Sequence, residues 1–215
     1  MELKLKSISH GLRRMHYKGV SCIKFPFDYV QYQMIMNEIQ PDLVIEIGTL
    51  RGGSALYFAN LMLLQGTVGE VHTIDIATAE EDITIRRPNA TVDQKVIDHP
   101  KIKLFTEGWQ GYDLKNIEGF QRILVVDDGS HHYQEVLDAL RKFGPIVTSG
   151  SYYIVEDGNA EDICSDEVYA ELHGGPLRGI MDYLKEGGPF LIDLQKCDMF
   201  GINSTFNTYG YLKKI

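Results

Sequence analysis

Near-continuous apolar runs of four or five residues recur along the chain, separated by stretches of helical periodicity. The runs are Leu43–Ile47 (LVIEI), 71–75 (VHTID), Ile102–Phe105 (IKLF), Ile123–Asp127 (ILVVD) and Tyr152–Val155 (YYIV). A strand that is apolar on both faces must be covered on both, as in a parallel sheet between two helical layers. Gly53–Leu64, about 91–98, about 112–117 and 131–143 predict the intervening helices, and a helix near 28–39 precedes the first strand. After Glu156 the pattern changes to an acidic loop at 157–167, a helix near 176–185, and strand-like runs at 190–194 and about 205–212. The expected fold is α/β: a doubly wound, mostly parallel, seven-stranded sheet with an antiparallel edge strand.

With 215 residues and neither a repeat nor a Pro/Gly/Ser-rich linker, the chain reads as one domain over 1–215. Residues 1–24 form a basic and apolar N-terminal arm that could pack on a neighbouring subunit. Hydrophobic residues make up 44% and charged residues 24%, proportions of a globular protein rather than a disordered or membrane one. The net charge of −9 (21 Lys+Arg against 30 Asp+Glu) argues against a protein that tracks nucleic-acid phosphates. Cys22, Cys164 and Cys197 are too few and too scattered for a disulfide framework, which fits a reducing compartment. The N-terminus has no continuous apolar core of a secretory signal. The longest strongly apolar stretch, 56–64, falls far short of the ~20 residues of a membrane-spanning helix. A soluble cytoplasmic protein without membrane span or nucleic-acid partner is expected.

The first strand runs through Glu46 into Gly48-Thr49, and Gly52-Gly53-Ser54 opens the next helix. Glycines at such a turn allow close backbone approach to a ligand, and the helix N-terminus presents free N–H groups. The spacing is neither GxGxxG nor a P-loop, since no GK[ST] follows. Asp75 ends the second strand, where a carboxylate suits the two hydroxyls of a ribose. Gly108, Trp109 and Gln110 follow the third strand, and a small residue, an aromatic and an amide there suit an adenine. The 77–90 segment (ATAEEDITIRRPNA) reads as either a lid or a loop.

The fourth strand ends in Asp127-Asp128-Gly129-Ser130-His131-His132 and the fifth in Glu156-Asp157-Gly158. Adjacent strands lie ~4.8 Å apart, so their C-terminal ends share one crevice in a doubly wound sheet. Asp128, Glu156 and Asp157 would converge there and repel one another unless they share protons or bind a cation. An all-oxygen set favours a hard ion such as Mg2+. His131, three residues after Asp128, is the natural general base. Helix capping by Asp127 and Asp128, with Glu156 and Asp157 in a solvated loop, is the plainer alternative.

The motif Glu46-x-Gly48-Thr49-x-x-Gly52-Gly53-Ser54 resembles the cofactor loop of class I S-adenosylmethionine (SAM)-dependent methyltransferases, which have a Rossmann-like fold. Most of the chain is similar to the cephalosporin hydroxylase-like / rhamnosyl O-methyltransferase family. The similarity is carried by 19–28 (GVSCIKFPFD), Tyr32-Gln33, 41–59, 126–131, 149–157 (SGSYYIVED) and 206–213 (FNTYGYLK). It implies bound SAM and Mg2+, metal carboxylates at Asp128, Glu156 and Asp157, a base at His131, Asp127 on the cofactor side, and a homo-oligomer. Macrolide-sugar members carry Asp-Gly-Ser-His, which falls on Asp128 to His131, whereas cephalosporin-type members have an acidic residue in place of Ser130. The acceptor implied is a small-molecule or glycosyl hydroxyl, although the sugar enzymes are longer. Two other readings, a nicotinamide-dependent oxidoreductase and a non-catalytic SAM-binding module, fit less well. The first lacks GxGxxG and has no use for the carboxylates, and the second leaves His131 unexplained.

Overall fold

Seven strands form one sheet in the computed structural model, which describes residues 5–76 and 91–215. They are β1 (Leu43–Ile47), β2 (Glu70–Ile74), β3 (Ile102–Phe105), β4 (Ile123–Asp127), β5 (Tyr152–Val155), β6 (Phe190–Ile192) and β7 (Tyr211–Lys214), in the order β3-β2-β1-β4-β5-β7-β6. The first five pair in parallel. Near one edge, β7 runs antiparallel to both β5 and β6. The order reverses between β1 and β4, which makes their C-terminal ends the expected crevice.

Alternation along the strands divides the core in two. Val44, Leu124, Val126, Tyr152, Ile154 and Tyr211 pack with α2 (Pro26–Ile39) and α3 (Gly53–Leu64). Leu43, Ile45, Ile47, Val125, Tyr153 and Leu212 face α4 (Tyr133–Phe143) and α5 (Gly175–Lys185) instead. Odd residues of β1 and β4 therefore serve one layer and even residues the other, as the period of two requires. α1 (Leu5–Leu12) and a hairpin of His16–Tyr17 with Val20–Ser21 come before this unit. Leu12 packs with Phe25 and Phe206, and Val20 enters the first core cluster.

β1, β3, β4, β5 and α3 have the expected bounds. Other expected elements are shorter: 91–98 is a single helical turn at Gln94–Ile97, 112–117 a 3-10 turn at Leu114–Ile117, the 131–143 helix begins at Tyr133, the 190–194 strand stops at Ile192, and the last strand begins only at Tyr211. The acidic loop contains short helices, Ala160–Ile163 and Asp166–Glu171. The 77–90 segment, read as a lid or a loop, lies outside the described residues. No helix among the described residues is long and apolar enough to cross a membrane.

The segment before β7 bends for a polar reason. Buried Asp28 of α2 accepts hydrogen bonds from Thr205 Oγ1, from the Phe206 amide at 2.9 Å and from Tyr211 Oη at 2.9 Å. Burial pushes its carboxyl up to about 6 against these donors. Ala at position 28 would leave three donors without their acceptor, and each such loss costs about 1–3 kcal/mol. Asp28→Ala should therefore lower the urea midpoint by an amount equivalent to at least about 3 kcal/mol with an unchanged slope. An unchanged midpoint would show that this network does not hold the C-terminal segment.

Candidate active site and cation centre

Strand register brings the candidate residues level. Ile47 pairs with Asp127 and Asp127 with Val155, so Gly48, Asp128 and Glu156 emerge side by side. The ladder extends one step further: the amides of Gly48, Asp128 and Glu156 donate to Ile74, Ile47 and Asp127 carbonyls at 2.8–2.9 Å. Gly48 sits in the left-handed region (φ 95°), where a Cβ would collide with the Asp128 carbonyl oxygen. This glycine thus lets β1 and β4 close on each other at the crevice. At Gly53 a Cβ would strike the Ser21 carbonyl. The sequence pattern suggested close approach to a ligand, and the structure shows close approach of the chain to itself.

Polar groups organise the loop after β1. Asp75 Oδ2 accepts from the Thr49 and Leu50 amides at 2.9 Å each, and Oδ1 from the Ile76 amide at 2.9 Å. A carboxylate has about four acceptor positions, so among the described residues roughly one is left unused. Glu46 is fully buried, and its Oε2 accepts from Thr73 Oγ1 at 2.6 Å. Thr49 Oγ1 lies 2.7 Å from Thr73 Oγ1 and supplies the preceding link. Glu46 Oε1 has no partner among the described residues. Burial pushes the Glu46 carboxyl up to about 7, against the positive charge of Lys24. Ser54 is buried in the first turn of α3.

The expected adenine-side residues form a turn, Gly108–Gly111, tied to α4. Glu135 accepts from Trp109 Nε1 at 3.2 Å and from Gln110 Nε2 at 3.0 Å. Lys142 Nζ donates to the carbonyls of Trp109, Gln110 and Tyr112 at 2.7–2.9 Å.

Asp128, His131 and Asp157 each bring a donor atom to a spot where all three lie within 4.8 Å of one another. His131 Nε2 is 3.6 Å from Asp128 Oδ1 and 3.4 Å from Asp157 Oδ2. Both His131 and Asp157 adopt left-handed backbone (φ 56° and 55°), a strained state for non-glycine residues that clusters at functional sites. Asp127 stays behind in the core, accepting from Tyr153 Oη at 3.1 Å and the Gly129 amide at 3.3 Å. Burial pushes its carboxyl up to about 6.

Glu156 lies outside that compact set of three. Its Oε1 accepts from Tyr32 Oη at 2.6 Å and from Lys24 Nζ at 2.6 Å, and Lys24 also reaches Asp128 Oδ2 at 2.5 Å. Burial and the Asp128 charge hold the Glu156 carboxyl well above the usual range, with Lys24 opposing. The sequence reading gave Lys24 and Tyr32 no role, although a lysine inside the apolar run IKFPF was a usable signal. A lysine buried in such a run needs a carboxylate partner.

A cavity of about 150 Å3 begins at Gly158, the residue after Asp157, and is lined in part by Asn159, Tyr169, Asn203, Thr208 and Tyr209. Asn159 is buried, and neither its amide nitrogen nor its oxygen has a partner among the described residues.

Comparison with known proteins gives a consistent set of relatives. A family model described as "Rhamnosyl O-methyltransferase/CmcI" matches residues 10–215. A rhamnosyl O-methyltransferase of Mycobacterium leprae (strain TN) is 33% identical over 197 residues, covering 91% of this chain and 81% of the relative. Its counterpart in Mycobacterium tuberculosis (strain H37Rv) is 33% identical over 195 residues, covering 90% of this chain and 76% of the relative. Among solved structures, CmcI with SAH superposes with a TM-score of 0.64 at 16% identity, over 94% of this chain and 82% of that one. CmcI with Mg-SAM gives 0.62 at 16% identity, over 94% and 77%. The structural likeness establishes the methyltransferase fold.

The raised carboxyl of Glu46 gives a test of the site's electrostatics. An unfolded glutamate titrates near 4.5, so between that value and about 7 the folded protein binds the extra proton. Stability from this group is complete below 4.5 and is lost as pH rises through 7. Glu46→Gln should shrink the fall in urea midpoint between about pH 5 and pH 7 relative to the parent protein. An identical fall in both proteins would refute the assignment.

Proposed function

The chain belongs to the Rhamnosyl O-methyltransferase/CmcI family and is an S-adenosylmethionine-dependent O-methyltransferase, and we propose that it methylates a sugar hydroxyl with Mg2+ at the Asp128 centre and His131 as base. The observation that carries this reading is the convergence of Asp128, His131 and Asp157 beside the Gly48 loop. The carboxylates of Asp128 and Asp157 suit a hard divalent ion, Glu156 Oε2, which accepts no hydrogen bond among the described residues, could add a third, and the His131 imidazole stays free to act as base. On the donor side, the unpaired Glu46 Oε1 and the remaining acceptor position of Asp75 suit the polar groups of SAM. When bound, SAM would supply an electrophilic methyl group and Mg2+ would lower the pKa of an acceptor hydroxyl.

This chain's own residues do the remaining work. His131 takes the acceptor proton at Nε2, and the adjacent carboxylates of Asp128 and Asp157 stabilise the imidazolium that results. The Asn159 amide, with Asn203 and Thr208, offers donors and acceptors for neighbouring sugar hydroxyls, and Tyr169 and Tyr209 offer ring faces. Much of the rate then comes from holding donor and acceptor in attack geometry. The rhamnosyl relatives support a glycosyl acceptor over a catechol.

Asp128→Asn should abolish methyl transfer and the response to Mg2+ while leaving SAM affinity, by calorimetry, within about threefold of the parent. Full activity in EDTA would rule out the metal. His131→Ala should lower kcat by about a hundredfold or more, with partial recovery at alkaline pH, where the acceptor ionises without a base. A panel of rhamnosides and catechols supplies the acceptor test, and transfer to catechols alone would overturn the sugar reading.

A further inference from the structure

Lys24 is the one residue of the 19–28 segment that reaches the acidic centre directly. Its side chain is 2% exposed, and its ammonium lies 2.5 Å from Asp128 Oδ2 and 2.6 Å from Glu156 Oε1. Tyr32 Oη donates to the same glutamate oxygen at 2.6 Å, and Asn207 Nδ2 donates to Tyr32 Oη at 3.1 Å. One oxygen of each carboxylate is therefore already engaged by the protein. Asp128 Oδ1 is left facing His131, and Glu156 Oε2 accepts nothing among the described residues.

The charges also count out. Asp128, Glu156 and Asp157 carry three negative charges when ionised, and the fixed ammonium leaves two, the amount a divalent ion neutralises. We propose that Lys24 is a positioning residue of the cation centre, a built-in counter-charge that clamps the outer oxygens of Asp128 and Glu156 and keeps the acids together when no ion is bound. This rests on the reading that the centre binds Mg2+, and the parent protein's own titration tests that reading separately.

Removing the ammonium while keeping its bulk should make the protein lean on the ion. Tyr32 still holds Glu156, so the extra negative charge outweighs the lost clamp. At separations of a few ångströms in a poorly solvated site, one unit charge is worth far more than a single hydrogen bond. The experiment is thermal melting and calorimetric Mg2+ titration of the full chain, with SAM binding as the check on folding. In Lys24→Met, melting should fall in EDTA, the rise in Tm on adding millimolar Mg2+ should roughly double, and Mg2+ should bind at least about threefold more tightly. Glu156→Gln, which removes a negative charge and keeps Lys24, should shift the affinity the opposite way, by at least about threefold. The double variant restores the charge count and should recover a clear part of the affinity that Glu156→Gln loses; it also carries the test if Lys24→Met fails to fold.

A purely packing role for Lys24 would lower Tm equally with and without Mg2+ and leave affinity unchanged, which overturns the proposal. Weaker Mg2+ binding by Lys24→Met overturns it too, as does a double variant that does not recover. A parent protein that neither binds Mg2+ nor melts higher with it removes the cation reading itself, and the counter-charge role with it.

Discussion

Acidic groups brought together at the ends of adjacent parallel strands repel, and the fold around this crevice is organised to contain that repulsion. β1, β4 and β5 are held in strict register by their ladders, so Asp128 and Glu156 cannot drift apart. What relieves the strain is side-chain chemistry from outside the sheet: Lys24 from the segment before α2, Tyr32 from α2 and His131 from the turn before α4. The sheet fixes positions, and the layers fix charge. Neither suffices alone, since a register without the counter-charge would drive the already raised Glu156 carboxyl higher still.

The same partition explains which parts of the molecule could be read from the amino-acid order. β1, β4 and β5 are apolar on both faces and lie inside the sheet, so local pattern and global environment agree and their limits come out as expected. The crevice followed from these limits, because the residue after each strand end is the site. The segments that misread have marginal local structure. The turn at Gln94–Ile97 has only Val96 buried, and the stretch before β7 is shaped by bonds to Asp28, a residue 177 positions away in sequence from Thr205. No window of a dozen residues contains that information. The hairpin before α2 is likewise two residues per strand, too short to register as a pattern.

Among the site residues, type and position were legible while partners were not. Asp128, His131 and Asp157 come together as their spacing suggested. Glu156 was read as an equal member, yet its orientation depends on Lys24 and Tyr32, more than a hundred residues earlier. Asp75 and Gln110, expected from their strand-end positions to meet a donor nucleoside, each have a structural bond that position alone does not reveal. A side chain at such a place serves the chain first and any ligand with what capacity is left.

The segments that carried the family resemblance outside the crevice find their physical sense in one buried network. Lys24 holds Glu156, which accepts from Tyr32. Tyr32 accepts from Asn207, which also donates to Tyr211, and Tyr211 donates to Asp28. These residues come from the segment before α2, from α2 itself, and from the turn and strand at the C-terminal end of the chain. Every link is buried, so a lost member leaves a polar atom without water to replace it. Charge at the crevice is thereby coupled to the docking of α2 and to the seating of β7 between β5 and β6. The antiparallel end of the sheet is in this sense part of the site, because it supplies the wall against which the acidic centre is braced.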